Sequence, residues 1–176
     1  LAEWKDLPAI DLKTHARSSG TGVSGSAWLA WDDAKLYLAA KLPRQTVLRF
    51  AVAPSSAGTW AERGDLRGWY EFEVSSDSTY ACTMAPLGAQ NARVEEGAAK
   101  FTEDEALVEI GLLWSDIKPL APTPNGTFRL ALCVQNASNV TEWGDGIRMG
   151  KTPDAFRVCT FETDAAQARP AKAMNK

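Results

Sequence analysis

The sequence predicts an all-β protein, an antiparallel β-sandwich. Three observations predict it: apolar and polar residues alternate over many short stretches, Gly-, Pro- and Asp-rich segments separate those stretches, and no long amphipathic helical pattern is present. Residues 25–42 show the alternation most clearly, on both sides of the polar segment 32–35. This pattern predicts a β-hairpin. Because the second arm is almost wholly apolar, the hairpin should lie in the middle of a sheet.

The other strands are predicted from the same alternation, beginning with an extended segment that Pro8 confines to an edge. The predicted strands outside the hairpin are residues 1–12, 47–53, 69–75, 79–84, 92–95, 107–113, 127–135 and 155–162. Residues 18–25 and 136–154 are predicted to be loops. The inward-facing residues of separate strands should form one core, which contains Leu38, Phe50, Phe72, Ile110, Leu130 and Val134. Residues 1–162 therefore form one predicted sandwich domain, and residues 163–176 a flexible tail or linker.

Composition narrows the choice of partners. A net charge of −3 gives no general reason to expect nucleic acid or an anionic membrane as a partner, and no apolar run is long enough to cross a bilayer.

The three cysteines, Cys82, Cys133 and Cys159, fall in predicted strands and are interpreted as structural, although one disulfide stays possible. Asp32 and Asp33, or Asp65 and Asp145, are better explained by turns than by calcium. No cofactor and no metal are predicted.

The strand at residues 69–75 has the most informative local pattern. Trp69, Glu71 and Glu73 share its outward face, which places an aromatic ring beside two carboxylates. A sugar needs that pairing, because its C–H face packs on an aromatic ring while its hydroxyl groups donate to carboxylates. The alternative is a solvated strand face whose tryptophan is covered by a loop. A glycosidase pair formed by Glu71 and Glu73 is disfavoured, because parallel side chains on one strand do not flank a scissile bond.

Two further tryptophans, Trp60 and Trp143, fall in predicted long loops, where a bulky apolar side chain has less structural reason to be. Seven tryptophans in the chain are unusually many, and tryptophan is useful on a binding surface. We therefore expect Trp60, Glu71 and Trp143 to converge on one open face of the sandwich.

Four segments carry a resemblance to a known family: LAEWKDLP at the start, AWLAWDDAKLYLAAKL at 27–42, EIGLLWSDI at 109–117 and GTFRLALCVQNA at 126–137. They resemble the family 9 carbohydrate-binding modules, which have a DOMON-like β-sandwich, and the resemblance covers roughly residues 1–162. It implies a non-catalytic module of a secreted or periplasmic polysaccharide-acting protein. Its partners would be carbohydrate, a glycan end or short oligosaccharide, and the catalytic domain of a larger parent protein.

The resemblance also implies ligand-binding residues. In that family two tryptophans sandwich a terminal sugar, aided by charged and amide side chains. Trp60, Glu71 and Arg93 correspond to three of these positions, and Trp69 and Trp143 join them from the strand and loop patterns. Cys133 stands where the family has a glutamine, and the second sandwiching tryptophan falls nearer residues 149–150 than Trp143.

Three alternatives remain. One is a structural or interaction module that keeps the fold without binding sugar. Another is a haem-binding DOMON-like domain that would use His15 with Met84 or Met149. A hydrolase is the third, but the chain shows no machinery for nucleophilic catalysis around its single histidine.

Overall fold

The computed structural model describes residues 4–13, 17–55, 70–75, 80–83, 96–148 and 153–161. In chain order its strands are β1 (Ile10–Asp11), β2 (Arg17–Ser19), β3 (Ser26–Trp31), β4 (Lys35–Pro43), β5 (Val47–Pro54), β6 (Tyr70–Ser75), β7 (Tyr80–Thr83), β8 (Glu96–Phe101), β9 (Glu105–Leu113), β10 (Thr127–Asn136), β11 (Asn139–Trp143) and β12 (Arg157–Thr160). A short 3-10 helix, Pro153–Ala155, precedes β12. In the described ranges no helix is long and apolar enough to span a membrane.

The strands form two antiparallel sheets, as the sequence predicts. The five-stranded sheet has the order β1-β3-β4-β9-β8, and the seven-stranded sheet has the order β2-β11-β10-β5-β6-β7. β12 also belongs to the second sheet and pairs with β10. β5 occupies one side of β10 along most of its length, so β11 and β12 lie end to end along the other side.

The predicted hairpin is β3–β4, and β4 is the middle strand of the five-stranded sheet. Its turn depends on Asp32, whose Oδ1 accepts hydrogen bonds from the backbone N–H groups of Ala34 and Lys35, both at 2.8 Å. Oδ2 accepts a third hydrogen bond from the Tyr37 hydroxyl at 3.0 Å. Both carboxylate oxygens of Asp32 therefore serve the turn.

The main core lies between the two sheets and confirms the predicted phase of the strands. All six residues predicted to share one core belong to a single buried cluster, and none is more than 2% exposed: Leu38, Phe50, Phe72, Ile110, Leu130 and Val134. Phe50 and Phe72 stack across neighbouring strands with ring centroids 4.7 Å apart. Burial of such side chains supplies most of the driving force for a fold of this size.

The outer face of the five-stranded sheet is covered by the N-terminal segment. Trp4, 1% exposed, packs on Ala30 and Ala39, and its indole Nε1 donates to Glu109 Oε1 at 2.6 Å. The backbone turns here, with the N–H of Leu7 donating to the carbonyl of Trp4. Of the predicted first strand, only Ile10–Asp11 is a strand in the described residues.

Two predicted loops are wrong over part of their length. In the loop predicted at 18–25, residues 18 and 19 belong to β2 and pair with β11. Residues 139–143 form β11, which pairs with β10 through a tight turn in which Ala137 has a φ of 47°. The alternation in these residues is too short to predict a strand by itself. The register with β10 fixes which side chains face inward.

Candidate functional site

The outer face of the seven-stranded sheet has a floor of small side chains. These floor residues are Ala51, Ala53, Ala131 and Cys133. Their neighbours along β5 and β10 point into the main core, so the floor residues point away from it. Ile147 and Phe156, from the segment between β11 and β12, pack on this floor and are buried with it. Small floor residues allow the covering segment to approach the sheet closely.

Charged side chains lie on the same face. Arg49 of β5 is opposite Glu73 of β6 in the ladder, and its Nε is 2.6 Å from Glu73 Oε2. The hydrogen bond to Glu73 raises the pKa of Arg49, against the lowering effect of burial. Glu71 is two residues before Glu73 on β6, opposite Ala51, and is only 5% exposed. A carboxylate and an ion pair therefore stand side by side on this face.

The segment after β11 is held by Glu142, which is opposite Cys133 in the ladder. Glu142 Oε1 accepts hydrogen bonds from the backbone N–H groups of Ile147 at 3.0 Å and Arg148 at 3.1 Å. The chain bends inside residues 144–148 because Gly144 and Gly146 have φ of 78° and 99°. Any side chain at Gly144 would meet the backbone carbonyl of residue 130. We call residues 144–148 the Glu142 turn.

Cys133 is at the centre of these charges. The pKa of its thiol is raised to about 11, chiefly by burial and also by the carboxylates of Glu142 and Glu71. The guanidinium groups of Arg148 and Arg49 act in the opposite direction. In the ladder Cys133 is opposite Glu142 on one side and Arg49 on the other, so it lies between the two charged residues.

A third arginine fixes the far end of the covering segment. Arg129 Nη1 donates to the carbonyl of Asp154 at 2.8 Å and to that of Phe156 at 3.5 Å. These carbonyls belong to the 3-10 helix and to the residue after it. Arg129 Nε is buried and has no hydrogen-bond partner in the described part of the chain. Its guanidinium therefore fastens the segment to β10.

The predicted site residues have different outcomes. Trp60, Trp69 and Arg93 lie outside the described residues. Glu71 points to the outer face, as its strand phase predicts, but it is buried where an exposed position was expected. Glu71 and Glu73 lie on one face of one strand, and Glu73 is bound to Arg49. This arrangement agrees with the argument against a glycosidase pair.

Trp143 does not join Glu71. It is opposite Leu132 in the ladder, so it shares the inner side of the sheet with Leu132, and it packs at the margin of the main core. Its ring is covered by Arg157, whose Cζ is 4.6 Å from the ring centroid. The structure therefore places Trp143 and Glu71 on opposite sides of the seven-stranded sheet, and the expected convergence of the two is not seen.

The haem alternative falls on His15, Met84 and Met149, which are outside the described residues. Within the described ranges, no group of three or more His, Cys, Asp or Glu side chains is placed to hold a metal ion. Cys133 and Cys159 are free thiols on opposite sides of the seven-stranded sheet. Cys82 is in β7.

Sequence reasoning did not select Arg49, Glu142 and Arg148. Arg49 had a usable signal, an outward charge on a strand that pairs with the Glu-bearing strand. Glu142 was followed by two closely spaced glycines, which permit a turn back onto a carboxylate. Neither signal shows which face the turn would cover.

Comparison with known proteins identifies the fold. The chain is similar to a family 9 carbohydrate-binding module from Caldicellulosiruptor kristjanssonii solved with cellotriose, with a TM-score of 0.65 and 13% identity over 98% of this chain and 90% of that one. A structure of a family 9 module from the same organism with glucose gives 0.61 and 14% identity, over 88% and 84%. A candidate carbohydrate-binding protein from Bacteroides uniformis gives 0.58 and 12% identity, over 80% and 79%.

No protein-family profile and no curated protein sequence matches the chain. The protein is thus an all-β sandwich with the fold of the family 9 carbohydrate-binding modules. At this level of identity the likeness defines the fold, and the ligand has to be argued from the site.

Proposed function

We propose that this protein is a non-catalytic carbohydrate-binding module that holds a glycan end or a short oligosaccharide on the outer face of its seven-stranded sheet. One observation carries the proposal: nearly the whole chain shares its fold with a module that binds cellotriose. On the outer face, a buried carboxylate and an Arg–Glu ion pair lie beside a floor of small residues. Fixed charged acceptors and donors are suited to sugar hydroxyl groups.

Stacking would come from tryptophan. Trp60 and Trp69, with Glu71 and Arg93, are the proposed ligand-binding residues, because an aromatic ring takes the C–H face of a sugar while charged groups bind its hydroxyl groups. Trp143 would contact the same ligand only if that ligand extended around the edge of the sandwich, since its ring is on the inner side of the sheet.

The absence of catalysis is part of the proposal. Glu71 and Glu73 lie on one strand and one face, and Glu73 is bound to Arg49, so the two do not flank a space for a scissile bond. From the family resemblance alone, we further propose a secreted or periplasmic parent protein that acts on polysaccharides.

Titration with glucose and cellotriose, followed by tryptophan fluorescence and calorimetry, tests the proposal. We expect weak binding, because stacking one sugar ring gives little net free energy after the ordering costs of association. Trp60→Ala should abolish the fluorescence change and leave the thermal midpoint nearly unchanged, as expected for a surface residue. Trp28→Phe, on the outer face of the five-stranded sheet, is the matched control and should titrate like the wild type.

Two results would redirect the proposal. If the wild type binds no glycan at millimolar concentration, the structural-module alternative replaces it. If Trp60→Ala unfolds the protein, Trp60 is a core residue and the stacking role is wrong. A preparation with no haem absorbance removes the haem alternative.

A further inference from the structure

Three arginines whose side chains the structure describes lie on or beside the outer face of the seven-stranded sheet, and two of them have partners. Arg49 is bound to Glu73 at 2.6 Å, and Arg129 holds the carbonyls of Asp154 and Phe156. Arg148 differs, because its side chain is exposed and the described part of the chain offers its guanidinium no hydrogen bond or ion pair. An unoccupied guanidinium has its donors available for a ligand.

The backbone position of Arg148 is fixed. Its backbone N–H donates to Glu142 at 3.1 Å, and the residue before it, Ile147, is fully buried on the small-residue floor. Two independent restraints therefore hold the backbone at residue 148, a charged hydrogen bond and an apolar anchor. A side chain carried by such a backbone loses less conformational freedom when it binds a ligand.

Arg148 is also on the correct side of the molecule. Ile147 contacts the floor that Ala51 and Cys133 form, and Glu71 is opposite Ala51 in the ladder. The Glu142 turn therefore lies on the outer face, the same face on which Glu71 stands.

From this geometry we infer that Arg148 is a ligand-contacting residue of the sugar site and that Glu142 is a positioning residue, which holds the turn that presents Arg148. The inference rests on the proposed function and adds to it a hydrogen-bond donor, the guanidinium of Arg148, at one side of the binding site. Arg148 would donate to sugar hydroxyl or ring oxygens on the side of the ligand that faces the Glu142 turn. Glu142 would act through the turn, because its Oε1 accepts the hydrogen bonds of both backbone N–H groups.

A double-mutant cycle with cellotriose as the probe tests the inference. Arg148→Ala should raise the dissociation constant about tenfold, as expected for loss of a hydrogen bond from a charged donor, with an unchanged thermal midpoint. Glu142→Ala should weaken binding by a similar factor, because the turn no longer presents Arg148. The double variant should bind no more weakly than the weaker single variant, since both changes remove one contribution.

The controls separate positioning from general stability. Arg44→Ala removes an exposed arginine at one end of the sandwich and should bind like the wild type. Glu142→Gln keeps an acceptor oxygen and should recover part of the lost affinity. In Glu142→Ala, hydrogen exchange should accelerate at the amides of Ile147 and Arg148 and stay unchanged at Leu132.

The possible failures are distinguishable. If the wild type binds cellotriose and Arg148→Ala binds equally well, the inference is overturned and the proposed function stands. If the two single effects add in the double variant, Glu142 does not act through Arg148. If the wild type binds neither cellotriose nor glucose, both the proposed function and the role of Arg148 are overturned.

Discussion

The two outer faces of the sandwich are covered by the same device but differ in what surrounds the covering side chain. On the five-stranded sheet, Trp4 lies on a floor of Ala30 and Ala39 and satisfies its indole N–H at Glu109. On the seven-stranded sheet, Ile147 lies on a floor that includes Ala51. Each face combines small floor residues with one large apolar side chain from a distant part of the chain.

The difference lies in what surrounds the anchor. Beside Trp4 the described contacts are an indole–carboxylate hydrogen bond and apolar or aromatic side chains. Beside Ile147 are Glu71, an Arg49–Glu73 pair and the exposed Arg148. Apolar covering alone stabilises a fold, whereas charged groups kept beside it cost desolvation and need another reason to be present. The five-stranded sheet also carries an ion pair on its outer face, Lys41 with Glu105 at 2.9 Å, so the contrast lies in the immediate surroundings of the two anchors.

The largest expected effect is on the outer face of the five-stranded sheet. Trp4→Ala should lower the free energy of unfolding by about 3–5 kcal/mol, because a buried ring and its hydrogen bond are lost. Denaturant unfolding measures this change. Affinity for cellotriose should not change, and Trp4→Phe, which keeps most of the buried area, should lose less stability. A near-neutral Trp4→Ala variant would show that the segment around Trp4 does not seal this face.

The matching change on the other face should affect two properties. Ile147→Ala should cost about 2–5 kcal/mol of stability, as a fully buried side chain does, and should also weaken cellotriose binding because the Glu142 turn loses its anchor. Ile147→Val is the conservative control. Loss of stability with no loss of affinity would make the two faces equivalent and would argue against a site beside the turn.

The thiols test burial on both sides of the seven-stranded sheet. Burial raises the pKa of Cys133 and of Cys159 to about 11, from the ordinary value of 9.0. At pH 8 the native thiolate population, and hence the labelling rate by a thiol reagent, should be about a hundredfold below that of a free cysteine. Rapid labelling of both native thiols would contradict their structural interpretation.

The same shift predicts a pH dependence of stability. Between about pH 9 and 11 these thiols stay protonated in the native state and ionise in the unfolded chain. The unfolded state then binds fewer protons, so the free energy of unfolding should fall as the pH rises through this window. Cys133→Ala should make the fall shallower.

The smallest expected effect concerns the ion pair. Arg49 and Glu73 have side chains that are 40% and 35% exposed, so water screens their attraction. A double-mutant cycle with Arg49→Gln and Glu73→Gln should give a coupling energy of about 0.2–1 kcal/mol, measured by denaturant unfolding. A coupling of several kcal/mol would mean that this face, too, is built for stability.

The inner core could be predicted because the alternation within each strand shows which of its side chains face inward. Leu38, Phe72 and Leu130 alternate with residues that face away, and a period of two fixes the buried side without any knowledge of the partner strand. The fold class followed from the same local signal.

The outer faces could not be predicted, because their contacts join distant residues. Trp4 meets Glu109, and Ile147 meets Ala51, with no periodic pattern to relate them. The expected convergence of Trp143 with Glu71 was wrong for a related reason. The strand of Trp143 is short, and only its register against Leu132 shows that the ring faces inward. The alternation in its strand correctly placed Glu71 on the outer face, but it could not show that other segments bury this side chain.

The end-to-end arrangement of β11 and β12 has a consequence for how this protein can diversify. Trp143 is opposite Leu132 and Arg157 is opposite Leu130. The chain therefore stops pairing with β10 at Leu132 and resumes pairing two residues away, at Leu130. Changes of length between Trp143 and Arg157 that keep Ile147 and Phe156 buried leave the register of β10 and the main core in place, and loop closure penalises added length only slowly. New recognition surfaces can therefore be tried at this excursion while the scaffold is inherited unchanged.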